Sequence, residues 1–251
     1  MSADLPSRGV RFPGRSLSLF FPMYDEEANV EESVRRGVAT LSGLVEDFEV
    51  IVVDDGSGDR TAAIAERLCA SDPRVRLVRH GGNRGYGAAL KSGFVSAKKE
   101  LVFFTDGDLQ FDLGELELLL SEIDAADVVV GYRIARRDPA HRKLNAFLWN
   151  RLTRLVLGLH VRDVNCAFKL LRRSALERIG TLEADGAMIS AEMMVKFERA
   201  GVRIREVGVH HFPRGSGRQT GANPSVILKA FGELLALREK LRRGSGAGGR
   251  P

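Results

Sequence analysis

The chain has 251 residues, 44% hydrophobic and 28% charged, with a net charge of +5: ordinary values for one large globular domain or a domain with an appendage. Cys69 and Cys166 match no zinc or redox spacing, no apolar run approaches the roughly 20 residues of a membrane helix, and residues 1–15 lack the hydrophobic centre of a signal peptide. Secretion and membrane spanning are thereby disfavoured, and a cytoplasmic protein is expected.

Residues 1–15 read as a flexible leader. "SLSLFFP" (16–22) is a buried strand stopped by Pro22. Residues 27–44 carry Val30, Val34, Val38 and Leu41 at helical spacing behind an acidic first turn. "FEVIVVDDGS" (48–57) is a β-branched strand ending in acids, and 59–71 a helix with Asp59 as its N-cap. A strand at 75–80, a helix at 85–97, a strand at 100–108, a helix at 113–123 and a strand at 126–133 follow. This alternation predicts βαβ units and an α/β fold with a mostly parallel central sheet flanked by helices.

After Arg133 the alternation breaks. Residues 142–159 form an amphipathic helix with a basic face; "NCAFKLLRRSALERI" (165–179) follows and is given no type. Residues 190–201 read as a helix and 203–214 as a strand. The histidines there, His210 and His211, are adjacent and should face opposite sides. A C-terminal helix is expected over 223–243, with Asn223 as cap and Pro224 at its first position, then a tail over 244–251. The main domain is therefore 16–222.

Charge is uneven. Residues 131–173 hold eleven Lys and Arg against Asp138 and Asp163, a net +9 on a chain whose total is +5. Such a surface implies an anionic partner: phosphates, nucleic acid or an anionic membrane face.

In parallel sheets ligands bind outside the carboxyl ends of the strands, and Pro22, Asp54, Asp55, Asp106 and Asp108 all fall at such ends. "DGDLQ" (106–110) reads as an acidic turn or as a hard-metal site. Asp106 and Asp108, with Gln110 behind them, can offer oxygens to one ion, and Gly107 leaves room for a diphosphate. Asp54 and Asp55 either cap the next helix or accept hydrogen bonds from a nucleoside. Tyr24 can stack on a base, with Glu26 beside it. Gly85-Tyr86-Gly87 lacks the third glycine of a dinucleotide fingerprint and reads as a tight turn with close helix packing. Glu192 is a possible base or a polar edge of its helix.

Taken jointly, "PMYDEEAN", "VVDDGSGDRT", "NRGYGAALKSG" and "TDGDLQFD" resemble the ordered blocks of family 2 glycosyltransferases, specifically the polyprenyl- (dolichol-) phosphate sugar synthases. Asp25, Arg60, Gly107, Phe111 and Asp112 depart from the family's usual residues. "VGYR", "DVNCAFKLL" and "FPRGSGRQT" match later blocks more loosely, and the ordered match runs from about residue 17 to 220.

The resemblance implies the GT-A fold, a Rossmann-like domain that binds a nucleotide sugar, of GDP-mannose or UDP-glucose type, and Mg²⁺ or Mn²⁺. It would place Pro22, Tyr24, Glu26, Val53 and Asp55 on the nucleoside, with Gly107 beside the diphosphate. Asp106, Asp108 and Gln110 would hold the metal. Arg133, Arg142 and Arg214 would face donor and acceptor phosphates, with Arg218 standing in for a lysine the family carries near Thr220. Asp108, Arg133 and Arg214 thereby become the catalytic set.

The implied reaction is inverting transfer of a sugar to a polyprenyl phosphate. That acceptor is an anionic nucleophile needing positioning more than a base. Peripheral docking on the inner face of the membrane through the 142–159 helix, the C-terminal helix or both is expected, and would account for the basic segment.

Three rivals remain at this level. A soluble hydroxyl or glycan acceptor would need a carboxylate base, Glu192 or Asp163. A nucleotidyltransferase would need a glycine-rich, lysine-bearing triphosphate loop, which the N-terminal region lacks. A nucleic-acid binder has charge alone in its favour and leaves Asp106 and Asp108 unexplained, so no nucleic-acid partner is expected.

Overall fold

The computed structural model describes residues 11–134, 140–184, 186, 188–214 and 232–239, with side chains in the fifth helix described from Leu148 onward. Seven strands form one sheet: β1 (Ser16–Met23), β2 (Asp47–Asp54), β3 (Val75–Arg79), β4 (Leu101–Thr105), β5 (Val128–Ile134), β6 (Phe168–Arg172) and β7 (Ile204–His210). They lie in the order β3-β2-β1-β4-β6-β5-β7. Helices α1 (Val30–Leu44), α2 (Thr61–Ser71), α3 (Tyr86–Ser96), α4 (Leu116–Glu122), α5 (Ala140–Leu157), α6 (Arg173–Ile179) and α7 (Ile189–Arg199) connect and flank them.

The first five strands fall where the sequence puts them. β1, β2 and β4 are almost wholly apolar because helices cover both of their faces. β1 pairs in parallel with β2 on one side and β4 on the other, so strand order reverses at β1. That reversal opens a crevice at the carboxyl ends of β1 and β4. The β1–β4 ladder stops at Phe20–Phe104, two residues before Pro22, whose ring has no N–H to extend it.

The 165–179 segment resolves into a strand and a helix. β6 runs antiparallel between β4 and β5, with Phe168 opposite Thr105 and Lys169 opposite both Phe104 and Val130. This reversed strand brings residues 163–167 to the same edge as the ends of β4 and β5. β7 pairs in parallel with β5, Arg133 against Val209, and carries 211–214 to that edge too. His210 and His211 do face apart: His210 bonds Glu115, while His211 meets the Phe111 ring at 5.1 Å.

One expected cap changes, and one appears that was not expected. The residue bounding α2 is Arg60, and Asp59 serves from one position earlier, its carboxylate accepting the Thr61 N–H at 2.9 Å. Asp112 accepts the Gly114 N–H at 2.9 Å, at the head of a short 3-10 turn. The caps assigned to Asn223 and Pro224, and the tail, lie outside the described residues; 232–239 are helical.

α3 packs against β1 through Gly93, where a Cβ would stand 2.4 Å from the Phe20 ring. Phe20 is itself stacked on Phe104 at 5.4 Å and met edge-on by Phe94 at 5.2 Å, so it has nowhere to go. Gly93→Ala is expected to destabilise the protein by about 1–3 kcal/mol in urea titration, despite alanine's better helix propensity.

Candidate active site

Five segments meet at the carboxyl edge of the sheet: the loop after β1, the loop after β4, the end of β5, the lead-in to β6 and the residues after β7. Among the described residues, the non-glycine positions with positive φ are Asp25 (53°) and Leu109 (61°), one in each of the first two loops. A leucine held in that region marks backbone strain where a ligand is to be received.

The loop after β4 presents Asp106 and Asp108. Burial first, and then the Asp108 carboxylate, push Asp106 up to about 7. Asp108 is also raised, chiefly by burial. Two largely buried carboxylates, the second pushing up the first, are the kind of donor set a hard divalent cation would take, substrate oxygens and water making up the rest of its shell. The residues present therefore fit Mg²⁺ or Mn²⁺. Tyr86 donates its hydroxyl to Asp106 Oδ1 at 3.1 Å, and burial keeps that phenol protonated.

Gly107 has a different reason from the one its position suggests. A Cβ there would point inward, 2.4 Å from Met23 Cε, and its carbonyl accepts the Ser33 hydroxyl at 3.0 Å. A side chain there would require Met23 to shift. Gln110, expected on the metal, donates its amide to the Phe212 carbonyl at 2.9 Å and accepts the Phe212 N–H on its own carbonyl at 2.8 Å. It ties the acidic loop to the segment after β7.

That segment ends in Arg214, which bonds Glu26 and lies 3.9 Å from Asp108. Glu26, Asp108 and Arg214 thus come together from three remote parts of the chain. The loop after β1 is further locked by Asp25, whose N–H donates to Ser57 Oγ at 2.9 Å and whose carboxylate accepts the Gly58 N–H at 2.8 Å. Tyr24, in the same loop, is half exposed. Pro22 and Val53 are register partners on neighbouring strands and both buried, so a nucleoside would meet their backbone. Asp55 is buried too: it accepts from His80 Nδ1 (2.6 Å), Arg84 N (3.0 Å) and Gly85 N (2.8 Å). In this arrangement it organises the 80–85 loop.

Arg133 pairs with Asp163 in a two-pronged contact, Nε to Oδ2 at 2.7 Å and Nη2 to Oδ1 at 2.9 Å. Burial pushes Asp163 up, and the guanidinium more than reverses this, holding the carboxyl below its usual range. Behind them Lys169 is fully enclosed, donating to the carbonyls of Val164 (3.2 Å) and Cys166. Burial lowers its pKa, and it stands near enough to Asp106 to draw that carboxyl downward.

Glu192, the possible base, is enclosed and committed. It accepts the Glu183 N–H (2.9 Å) and Ala184 N–H (2.8 Å) and pairs with Lys196 at 2.8 Å. It also lines a cavity of about 890 Å³ between residues 83–86, α7 and the helical residues 232–239, to which Tyr86 contributes as well. The side chain of Arg142, and Arg218 entirely, lie outside the described residues.

Three residues were not singled out from the sequence: Tyr86, His80 and Lys169. The signal for Lys169 was a cation inside the apolar run "FKLL"; for Tyr86, an aromatic between two glycines.

Residues 18–180 match the family described as Glycosyl transferase family 2. Glycosyltransferase AglD of Haloferax volcanii is 34% identical over 212 residues, spanning 80% of this chain and 34% of its own. Dodecaprenyl-phosphate galacturonate synthase of Rhizobium johnstonii is 31% identical, spanning 95% of this chain and 73% of its own. The chain thus spans about a third of the first relative's length. The crystal structure of glucosyl-3-phosphoglycerate synthase from Mycobacterium tuberculosis in complex with phosphoglyceric acid superposes with a TM-score of 0.70 over 90% of this chain and 81% of that one, at 22% identity, a likeness of fold. With the family match covering well over half its length and the sheet built as in the GT-A enzymes, this chain belongs to glycosyl transferase family 2.

Proposed function

We propose that the protein transfers a sugar from a nucleotide sugar, of GDP-mannose or UDP-glucose type, to a polyprenyl phosphate at a membrane surface, with inversion at the anomeric carbon. The observation that carries this reading is the absence of a disengaged carboxylate base among the two candidates. Asp163 is clamped by Arg133, and Glu192 by two backbone amides and Lys196. A hydroxyl acceptor needs such a base; a phosphate acceptor is already anionic and needs placement. Relatives named for dodecaprenyl-phosphate and undecaprenyl-phosphate transfer support the same class of acceptor.

Asp106 and Asp108 would hold Mg²⁺ or Mn²⁺, which when bound supplies neutralisation of the charge on the departing diphosphate. Arg214 and Arg133 offer guanidinium donors to phosphate oxygens on either side of the transferred sugar. Tyr24 covers the nucleoside. Attack from the face opposite the diphosphate inverts the anomeric centre.

Docking is proposed to be peripheral, on the inner face of the membrane. Along α5, Leu148, Arg151 and Leu155 are exposed on one side, an apolar and basic stripe suited to anionic headgroups. Among the described residues no helix is long and apolar enough to cross a membrane. Exchanging both Leu148 and Leu155 for Glu is expected to weaken co-sedimentation with anionic vesicles at least about tenfold, two leucines contributing ~1.5 kcal/mol or more each.

The deciding experiment is release of nucleoside diphosphate from a panel of nucleotide sugars, with Mg²⁺ or Mn²⁺, with and without a short-chain polyprenyl phosphate. Release requiring both metal and lipid phosphate supports the reading. Turnover with soluble hydroxyl acceptors and none with lipid phosphate overturns it.

A further inference from the structure

We propose that Tyr86 is a positioning residue for the divalent ion, its hydroxyl holding Asp106 in the orientation that receives the metal. This rests on the metal-dependent reading above and deepens it. Tyr86 Oη donates to Asp106 Oδ1 at 3.1 Å, and among the described residues it is the one hydrogen-bond donor that this carboxylate has.

The ring is itself held in place. Tyr86 opens α3, directly after Gly85, whose φ of 92° sets the turn. The N–H groups of Arg84 and Gly85 are both captured by Asp55. Asp55 is braced by His80, whose other ring nitrogen meets Ser92 Oγ at 2.8 Å, further along the same helix. The start of α3 is thus fastened to the end of β2 at one point and to the 80–85 loop at another, which fixes the backbone from which the Tyr86 ring reaches Asp106.

The chemistry of the donor matters. A short aspartate has two free rotations, and an ion must freeze both to bind it. A donor that occupies one oxygen leaves the other aimed outward, and outer partners of this kind commonly govern metal affinity. A lysine in the same place would fix the carboxylate equally well but cancel the charge that attracts the ion. A neutral phenol fixes without cancelling. Because residues 84 and 85, held by Asp55, lead directly into Tyr86, which touches Asp106, the nucleoside side and the metal side of the site share one segment, residues 84–86.

The test is Mn²⁺ affinity, read from the free-ion electron paramagnetic resonance signal in the presence of UDP or GDP, for the wild type, Tyr86→Phe and Asp108→Ala. Tyr86→Phe keeps the ring and removes the hydroxyl; it is expected to weaken Mn²⁺ about tenfold. Its metal-free melting temperature should move by no more than a few degrees. Turnover should return to the wild-type level at saturating Mn²⁺, which a structural defect would not allow. Unchanged Mn²⁺ affinity in Tyr86→Phe, with tight binding in the wild type and loss in Asp108→Ala, overturns the inference and keeps the metal site. No Mn²⁺ binding by the wild type overturns both.

Discussion

Asp108→Ala and Asp106→Asn are each expected to lower sugar transfer about 1,000-fold, the equivalent of ~4 kcal/mol of transition-state stabilisation lost with the ion. The same Asp106→Asn variant, freed of metal by a chelator, is expected to melt higher than the wild type, by of order 1 kcal/mol. The reason is on the molecule: Asp106 is pushed up to about 7 by burial and by Asp108, so near neutral pH the metal-free protein holds a carboxylate where charge is unwelcome. Asparagine keeps the shape and still accepts the Tyr86 hydroxyl. Initial rates of nucleoside diphosphate release, paired with melting curves in chelator, read both effects. Opposite signs for activity and stability mark a group kept for its ligand; a loss in both would make Asp106 a structural residue.

The second large effect is on stability. Arg133→Ala leaves Asp163 largely buried and unpaired, which is expected to cost about 3–5 kcal/mol, a fall of roughly 10 °C in melting temperature. Replacing both partners by apolar residues, Arg133→Met with Asp163→Leu, should recover most of that stability and none of the activity. The pH dependence follows from the sign of the shift. Asp163's carboxyl lies lower in the folded protein than in the unfolded chain, so the pair's contribution is complete above the unfolded value of about 4 and is lost as pH falls through the folded one. In Arg133→Ala the guanidinium no longer opposes burial, and that carboxyl rises, with Lys169 and the backbone N–H of residue 133 still drawing it down. The deficit of the variant is therefore largest near neutral pH and narrows below about pH 4, which urea titrations at two pH values would reveal.

Local pattern was enough to find the donor-side strands and the acids that follow them, because β1, β2 and β4 each carry a dense apolar run that stops at a turn. It failed at 165–179, where a five-residue strand runs into a helix without a turn between them. The apolar run carries Lys169 in its middle, so neither a period of two nor of 3.6 survives. Pairings between segments were likewise out of reach. Tyr86 finds Asp106, Arg133 finds Asp163 and Arg214 finds Glu26 only through the order and register of the sheet. Gly107 was read as clearance for a ligand because the residues on either side bind one; its neighbour Met23 is invisible until β1 and β4 are laid side by side.

The reversed strand β6 has a consequence for how the enzyme comes into being. Carboxylates at 26, 106 and 108 leave the ribosome long before the arginine at 214 that bridges two of them, 188 residues after Glu26. Synthesis at about 5–20 residues per second leaves the acidic half waiting several seconds for its counter-charge. During that interval two central strands lack a neighbour, β4 until β6 arrives and β5 until both β6 and β7 do. A nascent chain stalled before β6 would present bare strand edges beside an uncompensated acidic patch. That is the stage at which a chaperone, or the cation itself, would have most to contribute.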